Sequence, residues 1–202
     1  RFRDIQRYEV SMSLQSGSLR ATVFPRSNAI TQALFVVGGV GFIALLAQIS
    51  VPVPGSPVPV TGQTFGVLLL ATSYGASLAL STFGLYLLAG IAGAPVFANH
   101  GHGMDRLIGP TGGYLIGMFL ASFVLGKLAG RRWDQKIGSA LFAMLIGNII
   151  IFASGLFWLQ NYTGKDWAWT LNAGFSPFII GELLKIAIAG TAMPLLWRAV
   201  QR

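Results

Sequence analysis

The 202-residue sequence contains no cysteine, which excludes a disulfide framework, a thiolate nucleophile and a cysteine-ligated metal site. Charged residues make up only 10% of the chain, against roughly a quarter of a soluble domain. Six residues are acidic and two are histidines, and no Ser-His-Asp pattern, Walker motif or HExxH motif occurs. We therefore expect neither an enzyme built on these constellations nor a subunit that binds ATP itself.

The chain is instead rich in apolar residues and glycine. Hydrophobic residues account for 53% of it, and 26 residues are glycine. Uncharged runs of about 20 residues are typical of membrane-spanning helices. The apolar runs cover residues 29–51, 64–98, 107–126, 137–160 and 175–200. This pattern predicts an integral, all-α membrane protein.

The net charge of +8 raises the alternative of a nucleic-acid-binding protein. The basic residues, however, lie at the ends of the apolar runs, where lysine and arginine determine membrane topology. Residues 1–27 are polar and basic and contain no apolar core, so we expect a cytoplasmic tail and no cleavable secretory signal. We expect a lipid bilayer as the environment and no nucleic acid as a partner.

The 35-residue run 64–98 is too long for one ordinary crossing, and Thr72–Gly75 is the predicted reversal. Two crossings here give six transmembrane helices in a membrane domain spanning residues 28–202, with both termini in the cytoplasm. All but three of the 14 lysines and arginines are then cytoplasmic, in agreement with the positive-inside rule. Arg106 and Lys165 lie outside, and Lys185 lies within a span.

This topology brings three connections to the outer face. They are a proline-rich connector at 51–59, a glycine-rich loop at 93–109 and a tryptophan-containing loop at 160–174. Four prolines in the first connector favour a stiff, extended segment that ends at Gln63. We therefore expect a binding site on the outer face.

Glu182 and Lys185 are the strongest site signal, because they lie about two turns into the last apolar run. An ionisable side chain at membrane depth costs roughly 2.5–3.5 kcal/mol on insertion scales. The spacing of three places both on one helix face. They are either a structural ion pair or a pair that faces a polar ligand, and the position near the outer loops favours the ligand.

The polar groups of the outer loops are weaker candidates. The turn Gly109-Pro110-Thr111-Gly112-Gly113-Tyr114 opens a helix, where its glycines serve either close helix packing or a ligand, and Tyr114 is a possible contact. Asn99 and Gln63 are either local structure formers or ligand contacts.

Two further polar signals favour structural roles. His100 and His102 are separated by one residue and lack a third ligand, so we expect solvated loop histidines and no metal site. Asn148, inside an apolar run, is expected to bond to a neighbouring helix.

Five stretches together resemble the BioY family, the biotin-binding S-component of energy-coupling-factor (ECF) transporters. They are Pro57-Val58-Pro59-Val60-Thr61-Gly62-Gln63, Gly84-Leu85-Tyr86-Leu87-Leu88-Ala89-Gly90, Gly93-Ala94-Pro95-Val96-Phe97-Ala98, Gly109-Pro110-Thr111-Gly112-Gly113-Tyr114-Leu115, and Pro177-Phe178 followed by Glu182-xx-Lys185. The resemblance implies a prokaryotic plasma-membrane protein with six helices and an outward-facing biotin pocket. It also implies as partners a transmembrane coupling subunit and two cytoplasmic ATPases, with no cofactor and no catalytic activity.

The resemblance further implies residue roles. Glu182 accepts from the ureido group of biotin, Asn99 complements that group, and Lys185 supplies positive charge. Either Lys185 or Arg106 serves the carboxylate of the biotin tail, while Gln63 and Tyr114 line the pocket. The small-residue pair Ala29-xxx-Ala33 matches the docking motif for the coupling subunit. The acidic position, which is usually Asp in the family, is Glu182 here.

Three alternatives remain at this point. The ligand of the S-component is another small vitamin, the chain is a membrane-embedded lipid-modifying enzyme, or it is an assembly subunit in which Glu182 and Lys185 form only an ion pair. An enzyme would need a base or nucleophile beside Glu182, and no histidine lies within the apolar runs.

Overall fold

The structure, a computed structural model, describes residues 17–201. It is mostly helical. The helices are α1 (Leu19–Val23), α2 (Ala29–Gln48), α3 (Gln63–Tyr74), α4 (Ala76–Ile91), α5 (Met104–Ile108), α6 (Gly112–Gly130), α7 (Ile137–Thr163), α8 (Trp167–Gly174) and α9 (Ile179–Val200). Two 3-10 turns, Ala98–His100 and Ser176–Phe178, precede α5 and α9.

Four helical stretches in the described part of the chain are long and apolar enough to cross a membrane. They are Ala29–Gln48, Gly112–Gly130, Ile137–Thr163 and Trp167–Val200, of which the last contains both α8 and α9. The prediction of a helical membrane protein is therefore confirmed at this level. α4 is a shorter apolar helix of 16 residues, and α3 has 12.

The predicted division of the run 64–98 into two helices is observed. α3 ends at Tyr74 and α4 begins at Ala76, and the residue between them, Gly75, has φ +81°. A residue with a Cβ rarely adopts that conformation, so the glycine allows the chain to change direction between two apolar helices.

The proline-rich connector forms a short hairpin, which the all-helical prediction did not include. β1 (Ser50–Val51) pairs antiparallel with β2 (Val60–Thr61), and the prolines lie in the loop between them. Proline lacks an amide donor, which explains why the paired residues are those that flank the prolines. The hairpin ends directly before Gln63 and so fixes the start of α3.

α6 lies at the centre of the bundle, and glycine allows its close approach to α7. A Cβ on Gly117 would come within 2.8 Å of Ile151 Cα, and one on Gly113 within 2.6 Å of the Ser154 carbonyl oxygen. Such distances are too short for a side chain, so these glycines pack helix against helix.

Two predicted boundaries differ from the structure. The segment 160–174, expected to be a loop, contains α8, because the Asp166 side chain caps that helix by accepting from Trp169 N at 2.7 Å. The last helix begins only at Ile179, after the turn that contains Pro177, so Glu182 lies in the first turn of α9. A carboxylate there is favoured by the positive end of the helix dipole.

The predicted tail, residues 1–27, falls partly outside the described residues. In its described part, α1 packs against the C-terminal end of α3: Leu19 is buried, and Ser18 Oγ donates to the Tyr74 carbonyl at 3.0 Å. The division into a tail and a membrane domain stays a prediction.

Candidate functional site

A cavity lies where the hairpin, the 93–109 loop and the starts of α3, α6 and α9 meet. Its walls are apolar and include Val58, Phe97, Leu115, Met118 and Phe152. The polar residues that line it are Thr61, Gln63, Thr64, Arg106, Thr111, Tyr114 and Glu182. A concave apolar site with few polar groups is typical of small-molecule binding.

Glu182 is the buried anionic group of this cavity, with 5% of its surface exposed. Its Oε1 accepts from Thr64 Oγ1 at 2.8 Å and from Lys185 Nζ at 2.7 Å. Its Oε2 accepts from Asn148 Nδ2 at 2.7 Å. Donors from α3, α7 and α9 thus hold one carboxylate. Because a carboxylate has about four acceptor positions, one position has no donor among these three side chains.

Lys185 lies behind the cavity and is not part of its lining. Its ammonium group donates to Glu182, to Thr64 Oγ1 at 2.9 Å and to the Thr61 carbonyl at 2.6 Å. An ammonium has three protons, and these three acceptors take all of them. Lys185 therefore compensates the charge of Glu182 and ties α9 to the hairpin.

Gln63 and Tyr86 connect the cavity to the following loop. Gln63 Oε1 accepts from Thr61 Oγ1 at 3.1 Å, and its Nε2 donates to Tyr86 OH at 2.6 Å. Tyr86 OH in turn donates to the Val96 carbonyl at 3.0 Å. This chain of hydrogen bonds fixes the orientation of the Gln63 amide at the cavity wall.

Tyr114 belongs to an aromatic wall. Its ring stacks on Phe178, with 6.5 Å between centroids, and meets the edge of Phe152 at 5.7 Å. Its hydroxyl donates to the Gly174 carbonyl at 2.8 Å, so the hydroxyl proton is already bonded within the protein. Offset aromatic rings suit a compact, apolar ligand.

Asn99 does not line the cavity, although its neighbour Ala98 does. The Asn99 side chain is exposed, and so are those of His100 and His102. No group of three or more possible metal ligands occurs among residues 17–201. The loop thus brings backbone and apolar groups to the cavity, and Asn99 stands at its edge.

Arg106 supplies the positive charge of the lining. It is exposed, unlike Glu182, so it marks the open side of the cavity. Its side chain lies over Gly101, where a Cβ would come within 2.7 Å of Arg106 Nε. Because Gly101 has no side chain, the guanidinium of Arg106 can occupy this position.

A second, almost wholly apolar hollow lies between α7 and α9. Its rim includes Leu145, Ile149 and Leu183, and it ends at Asn148 and Glu182. The Asn148–Glu182 hydrogen bond therefore separates the two cavities, which agrees with the prediction that Asn148 bonds to a neighbouring helix.

Of the residues selected from the sequence, Gln63, Arg106, Tyr114 and Glu182 line one cavity, Lys185 supports it through Glu182, and Asn99 lies outside the lining. Sequence reasoning missed Thr64 and the aromatic wall of Phe152 and Phe178. A threonine at the start of an apolar helix was the available signal for Thr64. Phe178 belongs to the Pro177-Phe178 stretch that carries the family resemblance, whereas nothing in the sequence distinguishes Phe152 from an ordinary packing residue.

Comparison with known proteins gives consistent matches. The model of the BioY family matches residues 16–202. A biotin transporter BioY of Thermotoga maritima is 39% identical over 160 residues, which cover 79% of this chain and 87% of the relative. The biotin transporter BioY2 of Lactococcus lactis is 36% identical over 161 residues, covering 77% of this chain and 85% of the relative.

The fold also has a solved counterpart. A crystal structure of the S-component for biotin from an ECF-type ABC transporter superposes with a TM-score of 0.77 at 21% identity. The similarity covers 86% of this chain and 95% of that one. By sequence and by the family model, the chain belongs to the BioY family.

Proposed function

We propose that this chain is the biotin-binding membrane subunit of a vitamin uptake transporter. The observation that carries the proposal is the order of chemical groups along the cavity. A buried carboxylate acceptor, Glu182, lies at its inner end, aromatic and aliphatic side chains form its walls, and the Arg106 guanidinium lies at its exposed end.

Biotin carries complementary groups in the same order. Its ureido ring has two N–H donors, its bicycle is compact and apolar, and its tail ends in a carboxylate. The open acceptor position of Glu182 takes a ureido N–H. Gln63 and the Tyr114 ring line the bicycle. Asn99 is exposed beside Ala98 and lies outside the lining, so we do not assign it to the ureido group that Glu182 binds at the inner end.

The tail carboxylate is assigned to Arg106 and not to Lys185. All three protons of Lys185 already have acceptors within the protein, and its ammonium lies outside the lining. A guanidinium binds a carboxylate through two parallel hydrogen bonds. Lys185 acts on the ligand through Glu182, which it holds in place.

Isothermal titration of the purified protein with biotin and with biotin amide tests these assignments. We expect Glu182→Ala and Lys185→Ala to weaken the binding of both ligands by roughly 10- to 100-fold, the usual range for a lost hydrogen bond to a charged group. Arg106→Ala should weaken the binding of biotin but not that of biotin amide, so that the variant no longer distinguishes the two ligands. Lys165→Ala, which removes another exposed cation, is the control.

The proposal fails if the wild type binds neither ligand, or if Glu182→Ala and Lys185→Ala both bind biotin unchanged. Mass spectrometry of small molecules retained after gentle purification separates biotin from another small vitamin. The related proteins are named as transporters, and we propose no reaction.

We further propose six membrane crossings, with both termini in the cytoplasm of a prokaryotic cell and the chain in its plasma membrane. Support comes from the division of 64–98 into α3 and α4, which adds two crossings to the four long helical stretches. The positive-inside rule places the basic turn between α6 and α7 on the cytoplasmic side.

The partners we propose are a transmembrane coupling subunit and two cytoplasmic ATPases. Ala29 and Ala33 are both exposed on α2, so their small side chains leave this part of the helix open to a neighbouring helix. We assign the docking of the coupling subunit to this face.

A further inference from the structure

The turn 97–101 combines a place in the cavity wall with an unusual backbone. Phe97 and Ala98 line the cavity. Asn99 and His100 follow with φ of 56° and 55°, the left-handed region that residues with a Cβ seldom occupy. Asparagine tolerates this conformation better than histidine does. Two such residues in succession need contacts that hold them there.

One side chain from another helix supplies these contacts. Gln48, the last residue of α2, donates from Nε2 to the Phe97 carbonyl at 3.2 Å. Its Oε1 accepts from the His100 amide at 2.9 Å. A single amide group thus holds both sides of Asn99, and a further bond from Nε2 to the Ala44 carbonyl at 2.9 Å fixes the amide on its own helix.

The other contacts of the turn do not replace the hydrogen bonds that Gln48 makes. The Phe97 ring is anchored by its edge-on contact with Tyr86, at 5.4 Å between centroids. The Phe97 amide donates to the Gly101 carbonyl at 3.0 Å, which closes the turn. The Gly101 amide also donates to the Ala98 carbonyl, at 3.1 Å. None of these contacts satisfies the Phe97 carbonyl or the His100 amide, so Gln48 supplies the hydrogen bonds that tie the left-handed pair to α2.

We propose that Gln48 is a positioning residue for ligand binding. Its amide holds the turn 97–101 so that Phe97 and Ala98 complete the cavity wall and Asn99 stands at the rim. The inference rests on the proposed function, since it assigns Gln48 to the binding of the same ligand. It adds that α2, the helix with the exposed Ala29 and Ala33, is tied directly to the wall of the cavity.

The test compares two identical substitutions on α2. Gln48→Leu removes the hydrogen bonds to the turn, whereas Gln32→Leu changes an exposed glutamine on the same helix. In titrations with biotin we expect Gln48→Leu to weaken binding at least 10-fold and Gln32→Leu to change it less than 2-fold. If Gln48→Leu is not obtained folded, Gln48→Glu replaces it: this variant keeps the acceptor for the His100 amide and loses the donor to Phe97, so it should weaken binding less.

A second substitution separates positioning from a general structural role. Glycine adopts the left-handed conformation without a steric penalty, so His100→Gly added to Gln48→Leu or to Gln48→Glu should restore at least part of the lost affinity. Wild-type affinity of both Gln48 variants, an equal loss in Gln32→Leu, or a loss that His100→Gly does not reduce each overturns the proposal.

A measurement without ligand keeps the result independent of the proposed function. Hydrogen exchange of the His100 amide should be clearly faster in Gln48→Leu than in the wild type and in Gln32→Leu, because its acceptor is gone. Unchanged exchange refutes the positioning role. A wild type that binds no biotin refutes the proposed function instead, while the exchange result still decides whether Gln48 holds the turn.

Discussion

Two carboxylates are buried among residues 17–201, and their surroundings differ. Glu182 receives donors from Thr64, Asn148 and Lys185. Asp134, in the turn between α6 and α7, is 1% exposed and accepts a side-chain hydrogen bond from Trp197 Nε1 at Oδ2. Its Oδ1 has no partner among the described residues. Burial raises the pKa of Asp134 to about 6, although the hydrogen bond from Trp197 acts in the opposite direction.

This difference predicts a pH-dependent effect of Asp134→Asn. The pKa in the folded state lies above its value of about 3.9 in an unfolded chain, so the wild type loses stability as the pH rises through about 6. Asparagine does not titrate and still offers Trp197 an acceptor. We expect the variant to be more stable than the wild type at pH 8, by up to about 3 kcal/mol, and the gap to close towards pH 4.

Thermal unfolding in detergent micelles between pH 4 and pH 8 measures this gap. Trp197→Phe in both backgrounds is the control for the hydrogen bond itself. A difference between Asp134→Asn and the wild type that does not change with pH would contradict the account.

Among the elements, the contact between α6 and α7 is one that depends on residue size. Gly117 faces the α7 backbone at a distance that leaves no room for a methyl group. α2 is the opposite case: Gly38 has open space around it, with nothing within 4 Å of an added Cβ. Glycine is therefore required for packing at position 117 of α6, whereas packing does not require it at position 38 of α2.

Alanine at these two positions should have opposite effects. Gly117→Ala forces α6 and α7 apart, and we expect a loss of about 1–3 kcal/mol of stability, typical of overpacking. Gly38→Ala meets no neighbour in this chain and should be neutral or stabilise by up to about 1 kcal/mol, because alanine favours a helix more than glycine does. Thermal unfolding of both variants measures the effects, and equal shifts would contradict the packing account.

At the scale of the whole molecule, the cavity lies at the start of the short helix α3. This helix has 12 residues, and its first two, Gln63 and Thr64, line the cavity together with residues of the hairpin and of the 93–109 loop. The cavity is thus enclosed by connections as well as helices. In the proposed topology all of these connections lie on the outer face of the membrane.

Single cysteines test this orientation. The sequence has none, so an introduced cysteine reports without background from this chain. Asn161→Cys and Gly138→Cys place a thiol near opposite ends of α7. A membrane-impermeant maleimide should label the first in intact cells and the second only after permeabilisation, and the reverse pattern would refute the orientation.

Much of the architecture could be predicted, because apolar run lengths and the positions of charges are properties of the chain itself. The helical membrane character, the break near Gly75 and the placement of Glu182 and Lys185 on one helix face follow from apolar run length, residue spacing and the cost of placing polar groups in lipid. The hairpin and α8 could not be predicted, since two-residue strands and a capped eight-residue helix leave only weak local signals.

The sequence by itself determined which side chains are chemically exceptional, because an ionisable residue inside an apolar run is costly wherever the helices pack. Only the tertiary structure decided what those side chains do. It directed the ammonium of Lys185 to three protein acceptors, left Arg106 on the cavity lining, and brought Gln48 against a turn about fifty residues away. Such assignments depend on which hydrogen-bond partners meet in space, and sequence spacing does not carry that information.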